Sequence, residues 1–74
     1  MDEISRVTSD PNLYGGRPCI RGLRISVADI LDMLAGGATR EDILRDYHYL
    51  EDADITAALR YGARQSNHPL IHTT

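Results

Sequence analysis

A chain of 74 residues forms one small domain with a limited core, and domains of this size usually need a partner or a cross-link for stability. The single cysteine excludes an internal disulfide, and no apolar run reaches the ~18 residues of a membrane span. The first residues also lack the features of a signal peptide. We therefore expect a cytoplasmic protein without a membrane segment. The net charge is -3 and all basic residues are arginines; since free-standing DNA-binding proteins are usually basic, the chain either contacts DNA through a local patch or binds a basic partner.

The N-terminal third is predicted to form short strands. A strand over residues 4–7 would be stable only when paired, and the turn residues at 10–12 follow it. Residues 18–25 are predicted as a β-hairpin that turns at Arg21-Gly22, because glycine supplies the positive φ of tight turns. Residues 11–28 contain three arginines and no acid, so this hairpin is either a basic arm or a strand pair that recruits a second subunit.

The register of the hairpin has two solutions. A two-residue loop at Arg21-Gly22 is preferred, because it gathers four apolar residues on one face: Pro18, Ile20, Leu23 and Ile25. It leaves Cys19 and Arg24 on the other face and requires Arg21 at an unfavourable positive φ. A three-residue loop ending at Gly22 would instead pair Cys19 with Leu23.

Three helices are predicted after the hairpin. Two capping boxes mark the starts of helices over about residues 27–35 and 40–47, and they are Ser26 with Asp29 and Thr39 with Asp42. Gly36-Gly37 ends the first helix. A third helix over about residues 53–65 has Asp52 as its predicted cap, with a buried stripe of Ile55, Ala58, Leu59 and Gly62. The single domain thus divides into an arm (1–25), a three-helix unit (26–65) and a tail (66–74).

Three short helices after a hairpin suggest a helix-turn-helix domain with helix three as the recognition helix. Its outward stripe, with residue types that contact bases or phosphates, is Thr56, Arg60 and Arg64. The hairpin arginines would extend along the phosphate backbone, and they are Arg17, Arg21 and Arg24. A solvated helix face explains the same spacing, and the acids Glu51, Asp52 and Asp54 would repel phosphate. These acids favour an alternative, a protein-interaction module that has the same scaffold and does not bind DNA.

Few residues suggest chemistry. His68 and His72 are four apart, but Pro69 lies between them and no third ligand follows, so we predict no metal site. Cys19 between Arg17 and Arg21 could have a lowered thiol pKa, although a single cysteine in an apolar strand is more often a packing residue. No nucleophile–base pair and no phosphate-binding glycine loop is present, so we predict neither an enzyme nor a cofactor.

Three segments of the chain resemble the domain of unknown function 433 family of small prokaryotic proteins: DPNLYGGRPCIRGLRISVADIL, GATREDILRDY and LEDADITAAL. The family pattern has Asp-Pro, then Gly-Gly-x-Pro-x-Ile-x-Gly-Thr-Arg-Ile, Glu-x-Ile-Leu-x-x-Tyr-Pro and Leu-x-x-x-Asp-Ile-x-Ala-Ala-Leu. The likeness covers about residues 4–63. Two positions depart from the pattern, since Leu23 replaces Thr and His48 replaces Pro. The matching residues are Asp10, Pro11, Gly15, Gly16, Pro18, Ile20, Gly22, Arg24, Ile25, Ile43, Leu44, Tyr47, Leu50, Asp54, Ile55, Ala57, Ala58 and Leu59.

This resemblance implies a mainly α fold, a short N-terminal β-hairpin followed by a homeodomain-like helix-turn-helix bundle. It also implies the role of antitoxin in a type II toxin–antitoxin pair whose toxin is a PIN-like ribonuclease. The expected partners are therefore the cognate ribonuclease toxin, operator DNA and a second copy of the chain. We expect the homodimer to form through the apolar hairpin residues Ile20, Leu23 and Ile25. The tail would contact the toxin through Leu70 and Ile71, two apolar residues in a polar segment.

Overall fold

The computed structural model describes residues 3–67. Its elements are β1 (Val7–Thr8), β2 (Cys19–Ile20), α1 (Val27–Ala35), α2 (Arg40–Asp46) and α3 (Asp52–Gln65), with 3-10 turns at Ile4–Arg6 and Tyr14–Gly16. The predicted mainly α fold, with a short antiparallel strand pair before three helices, is confirmed. No helix in this part of the chain is long and apolar enough to cross a bilayer.

The first two helices begin at the predicted capping boxes. The Ser26 hydroxyl accepts a hydrogen bond from the Asp29 amide (3.0 Å), and the Asp29 carboxylate accepts one from the Ser26 amide (3.1 Å). Thr39 and Asp42 form the same reciprocal pair at α2. Each box satisfies two amides that a helix start would otherwise leave without partners. Their spacing therefore predicted both helix starts correctly.

Helix α1 ends at Ala35 and is followed by Gly36 and by Gly37, which adopts a φ of 102°. The amide of Gly37 donates to the Leu34 carbonyl (3.1 Å) and that of Ala38 to the Met33 carbonyl (3.0 Å). This is a Schellman motif, whose left-handed residue is most easily a glycine because a Cβ atom is disfavoured there. The predicted glycine stop is correct.

Helix α3 differs from the prediction in its cap and in its buried face. The N-cap is Glu51 rather than Asp52, and its amide donates to the Asp54 carboxylate (2.8 Å). Leu59 was expected in the core but is 40% exposed, whereas Ala57 is buried. At 100° per residue the buried face is centred between Asp54 and Ala58, which places Leu59 beyond its edge. The prediction followed residue type, while the helix rotation is set by the packing of its first turn.

Strand β2 lies between two extended segments. On one side it pairs antiparallel with β1, with Val7 opposite Ile20 and Thr8 opposite Cys19. On the other side Cys19 bridges Ser26, and the Ile20 amide donates to the Ile25 carbonyl (3.1 Å). Both β2 residues are therefore buried, including Cys19. The strand expected at residues 4–7 is wrong: those residues form mainly a turn, and the strand is Val7–Thr8.

The hairpin turn was predicted correctly, but its register was not. Arg21 and Gly22 adopt φ values of 47° and 69°, and the Leu23 amide closes the turn on the Ile20 carbonyl (2.7 Å). Because Cys19 faces Ser26, two extra residues lie in the second arm, and neither predicted register is right. The Val27 amide donates to the Pro18 carbonyl (3.0 Å), so the start of α1 is joined directly to the strand. The fixed position of that helix start sets the register.

The core fills the space between β2 and the three helices. Its buried members are Ile20, Ile25, Val27, Ile30, Ile43, Leu50, Ile55 and Ala58. Helices α1 and α3 approach closely at Gly62, where an added Cβ would lie 2.9 Å from Leu31 Cδ1. The core therefore uses nearly every large aliphatic residue of β2 and of the inner helix faces, and the N-terminal segment lies against α3.

Candidate functional surface around the third helix

The start of α3 holds a buried carboxylate between two arginines, the arginine–aspartate cluster of Arg6, Arg21 and Asp54. Since Val7 faces Ile20, the strand register also brings Arg6 beside Arg21, whose amide donates to the Arg6 carbonyl (2.8 Å). Both side chains leave the same end of the strand pair and converge on Asp54. The cluster therefore ties the N-terminal segment and the hairpin turn to the first turn of α3.

The geometry of the cluster satisfies the carboxylate fully. Arg21 binds side-on, with Nε 3.1 Å from Oδ1 and Nη2 2.8 Å from Oδ2 of Asp54. Arg6 Nη1 lies 2.8 Å from Oδ1, and the Glu51 amide donates to Oδ2. Asp54 is 0% exposed, while the Arg6 and Arg21 side chains are 14% and 26% exposed. Paired and hydrogen-bonded in this way, a buried charge is tolerated in the folded chain.

Electrostatics keep this carboxylate ionised. Burial alone would raise the pKa of Asp54, but the hydrogen bonds from Arg21, the Glu51 amide and Arg6 outweigh it, so the pKa lies below its ordinary value. The hydrogen bond to Asp54 raises the pKa of Arg21, and bonds to Glu51 and Asp54 raise the pKa of Arg6. All three groups are therefore charged at neutral pH, and the cluster carries a net positive charge before Glu51 is counted.

Sequence reasoning missed this cluster. It treated Asp54 only as an acid that would repel phosphate and gave Arg6 no role. The sequence did contain a signal that Asp54 is buried. Asp54 lies three residues before Ala57, four before Ala58 and seven before Tyr61, which places it on the inward stripe of α3. A carboxylate on a buried stripe needs a cationic partner, and the chain offers only arginines.

Arg21 is bound internally, which alters its predicted role. Its guanidinium makes three hydrogen bonds within the chain, to both Asp54 oxygens and to the Tyr49 carbonyl (3.0 Å). A phosphate contact would have to replace bonds to a buried charge. The expectation that Arg21 extends along DNA as part of a free arm is therefore corrected: it is a structural residue of the cluster.

The predicted stripe on α3 is partly occupied by intramolecular partners. The Thr56 hydroxyl accepts a hydrogen bond from Arg40 (3.0 Å), which also pairs with Asp52 (2.8 Å). Arg60 pairs with Glu3 of the N-terminal segment. Arg64 is exposed and forms no ion pair with any residue from 3 to 67. The three predicted contacts thus lie on the outward side of the helix, but only Arg64 is without an internal partner in that range.

Two other predicted arginines lie on an exposed loop. The Arg17 amide donates to the Tyr14 carbonyl (3.1 Å), and the Tyr14 hydroxyl donates to the Arg24 carbonyl (2.9 Å). Tyr14 itself is exposed and holds a left-handed φ of 51° beside Gly15 and Gly16. Arg17 and Arg24 are exposed and form no ion pair within the described residues. This loop patch of Tyr14, Arg17 and Arg24 is a local basic and aromatic surface on an acidic protein.

The predicted dimer interface is corrected. Ile20 and Ile25 are 0% and 2% exposed inside a single chain, and Leu23 packs against the same core. Ile20 and Ile25 are enclosed because β2 lies between β1 and the segment that leads into α1, whereas Leu23 is only partly buried. Ile20 and Ile25 therefore offer no apolar surface to a second subunit.

A groove separates α3 from the N-terminal segment. This α3 groove is shallow and open to solvent, with a cavity volume of about 30 Å³, and its lining residues are Glu3, Val7, Ala57, Arg60, Tyr61 and Arg64. Its floor is formed by the apolar parts of β1 and α3, and its rim is charged. The groove and the loop patch both combine exposed arginines with apolar or aromatic groups.

Other candidate groups have ordinary environments. Cys19 is buried, its thiol donates to the Arg17 carbonyl (3.3 Å), and burial together with the charge of Asp29 raises its pKa. The alternative of a packing residue therefore fits, and that of an activated thiol does not. Residues 3–67 contain no cluster of His, Cys, Asp and Glu side chains that could hold a metal. The predicted tail contacts Leu70 and Ile71, and the pair His68 and His72, lie outside the described residues.

The strand pair, the hairpin and most of the three helices lie within a segment that other proteins share. The sequence profile of a protein family of unknown function, DUF433, matches residues 7–62. The chain belongs to this family. The match includes the hairpin, Arg21 and Asp54, and it excludes Arg6 and Arg64.

Comparison with known proteins adds one relative to the DUF433 assignment. The uncharacterized protein y4eO of Sinorhizobium fredii (strain NBRC 101917 / NGR234) is 36% identical over 55 residues, which is 74% of this chain and 25% of that protein. The chain thus spans a quarter of the length of this relative. No solved structure matches the chain.

Proposed function

We propose that this DUF433 protein is the cytoplasmic antitoxin of a type II toxin–antitoxin pair, which binds and neutralises a PIN-like ribonuclease and represses its own promoter as a dimer. We infer that it has no catalytic activity and needs no cofactor. The proposal follows the family resemblance, because the hairpin and helix motifs that carry the resemblance imply this role. The net charge of -3 suits a protein that covers a basic nuclease.

One observation supports the proposal most strongly, the uncovered outer face of α3. Leu59 is 40% exposed there, and the side chain of Arg60 is 65% exposed. Helix α2 precedes α3 after a short turn, so the pair has the connectivity of a helix-turn-helix unit with α3 as its second helix. An exposed leucine among arginines is typical of a surface that another macromolecule covers.

In this proposal the phosphate contacts come from Arg17 and Arg24 of the loop patch, not from Arg21. Both exposed side chains can bind phosphate oxygens without breaking an ion pair within the described residues. Arg21 would contribute only indirectly, by holding the turn from which Arg24 follows. The distinction separates a residue that positions the arm from residues that touch DNA.

Gel shifts on the upstream promoter fragment test this assignment. We expect Arg24→Ala to leave the thermal midpoint unchanged and to reduce the slope of log affinity against log salt by about 0.9 for each phosphate that the variant no longer neutralises. Arg21→Ala should lower the thermal midpoint, and any weakening of DNA binding should follow that decrease in stability. An unchanged salt slope for the combined Arg17→Ala/Arg24→Ala variant would refute the phosphate contacts of the loop.

The role as antitoxin is tested by co-expression with the product of the adjacent reading frame. The two proteins should co-purify, and the chain should restore growth that the partner alone arrests. A Leu59→Asp variant places a charge on the exposed α3 face without altering the core, so we expect it to weaken the complex while the fold persists. Growth arrest that persists in the presence of the wild-type chain would contradict the proposal.

A second candidate is a protein-interaction module that does not bind DNA. The observation that favours it is the acidic start of α3, where the Glu51 and Asp52 side chains are 62% and 66% exposed. Recognition helices usually present this end to the bases, where exposed carboxylates repel phosphate. If the chain gives no gel shift at low salt, either alone or with the partner protein, this candidate is favoured over the DNA-binding one.

A further inference from the structure

The α3 groove combines an apolar floor with two guanidinium groups on one rim. The floor is lined by Val7, Ala57 and Tyr61. Because Ala57 is buried and short, the N-terminal segment packs over α3 without filling the space beside it. The cavity volume of about 30 Å³ leaves room for part of one apolar side chain and none for a cofactor.

The two arginines on the rim differ in whether an acidic side chain pairs with them. Arg60 and Arg64 are four residues apart on α3, so their side chains leave the same face about 6 Å apart along the axis. Arg60 is paired with the Glu3 carboxylate, while Arg64 has no ion pair within residues 3–67. The chain therefore already places one carboxylate at the groove and leaves a second cationic position open.

This arrangement identifies the chemistry of a ligand. A guanidinium binds carboxylates through planar, paired hydrogen bonds, and the Glu3 carboxylate already pairs with Arg60. An apolar floor between such groups favours an apolar side chain over a hydrated sugar–phosphate backbone. Charge complementarity and the apolar floor thus point to an acidic peptide segment that contains an apolar residue.

We propose that the α3 groove binds an acidic–apolar segment of a partner protein, whose carboxylates pair with Arg60 and Arg64, and that Glu3 is an internal competitor for Arg60. Binding inserts the apolar side chain between Val7 and Tyr61 and displaces Glu3 from its arginine. The site goes beyond the role as antitoxin, because it is defined by ligand chemistry and does not depend on the partner being a ribonuclease.

A titration of the ¹⁵N-labelled full chain tests the site without an identified partner. The probe is the peptide Ac-Asp-Leu-Glu-NH₂, and the matched control is Ac-Asn-Leu-Gln-NH₂, which has the same shape without the charges. We expect the acidic peptide to shift the amide signals of Ala57, Arg60, Tyr61 and Arg64 in a saturable manner, and the control peptide to bind at least fivefold more weakly.

Three variants sharpen this test. Glu3→Gln removes the competing carboxylate and should tighten peptide binding by about two- to fivefold, the range set by an exposed ion pair. Arg60→Gln/Arg64→Gln should weaken it at least fivefold. Arg45→Gln, on α2 and outside the groove, should leave it unchanged.

Several results would overturn the proposal. They are equal shifts with the uncharged peptide, undiminished binding by the Arg60→Gln/Arg64→Gln variant, or weaker binding after Glu3→Gln. Shifts of the same signals by inorganic phosphate or duplex DNA, with none from the peptide, would assign the groove to nucleic acid instead. Failure to neutralise a toxin leaves all these peptide results intact, so the two proposals fail independently.

Discussion

Removing the carboxylate of Asp54 is the most informative single change in this protein. Asp54→Ala leaves two guanidinium groups facing each other and removes the acceptor for the Glu51 amide at the start of α3. Breaking a buried ion pair by deleting one partner costs about 3–5 kcal/mol. Because Arg6 and Arg21 are 14% and 26% exposed and can regain water, we expect the lower end, about 3 kcal/mol. For a domain of this size that lowers the thermal midpoint by about 12–24 °C.

Chemical denaturation followed by circular dichroism measures this effect, with Asp52→Ala as the matched control. Asp52 lies in the same helical turn and also pairs with an arginine, but both partners are largely exposed, so we expect a decrease in stability below about 1 kcal/mol. A cycle of Arg21→Ala, Asp54→Ala and the double variant should give a coupling energy of about 1–3 kcal/mol. If Asp54→Ala costs no more than Asp52→Ala, the cluster does not hold the N-terminal segment on α3.

Three further predictions concern acid sensitivity, helix packing and thiol reactivity. The folded-state pKa of Asp54 lies below its unfolded value of about 3.9, so the stability that its charge contributes should be complete about one pH unit above that value and be lost progressively as the pH falls through it towards the folded-state pKa. The stability difference between wild type and Asp54→Asn should therefore begin to shrink below about pH 5 and shrink further below about 3.9 in denaturant titrations. Gly62→Ala alone should leave the free energy of unfolding nearly unchanged, because the gain in helix propensity of about 1 kcal/mol is offset by the displacement of Leu31. In a Leu31→Ala background, where nothing has to be displaced, the same change should stabilise the protein by about 1 kcal/mol in the same assay. Buried Cys19 should react with a thiol reagent only in urea, and rapid modification of the native protein would contradict its raised pKa and burial.

The helices were predictable because their signals are local. A capping box specifies a helix start from residues three apart, and the glycine after α1 specifies its end, so both features are encoded within one or two turns of chain. The hairpin turn was equally local and equally correct. Its register was not, because it depends on where α1 docks against Pro18, a contact that the turn residues do not encode.

The arginines show why the surface was harder to predict than the fold. Arg17, Arg21 and Arg24 are equivalent in the sequence, three cations in an acid-free stretch, yet only Arg21 lies beside Arg6 once the strands pair. In that position its guanidinium binds the carboxylate of Asp54, which lies 33 positions further along the chain. The role of an arginine is set by which acid reaches it in three dimensions, and that depends on strand register and helix rotation, the two quantities that local patterns define least.

The net charge of -3 therefore does not tell where exposed arginines lie on this protein. Several acids pair with arginines of the same chain: Asp54 binds two of them in the buried cluster, and at the surface Asp52 binds Arg40 and Glu3 binds Arg60. The cations left for a partner are those that no acid reaches, and within the described residues they lie on the loop patch and at the rim of the α3 groove. A small acidic chain thus presents unpaired arginines at two places in its described part, because the acids that pair with its other arginines hold the structure together.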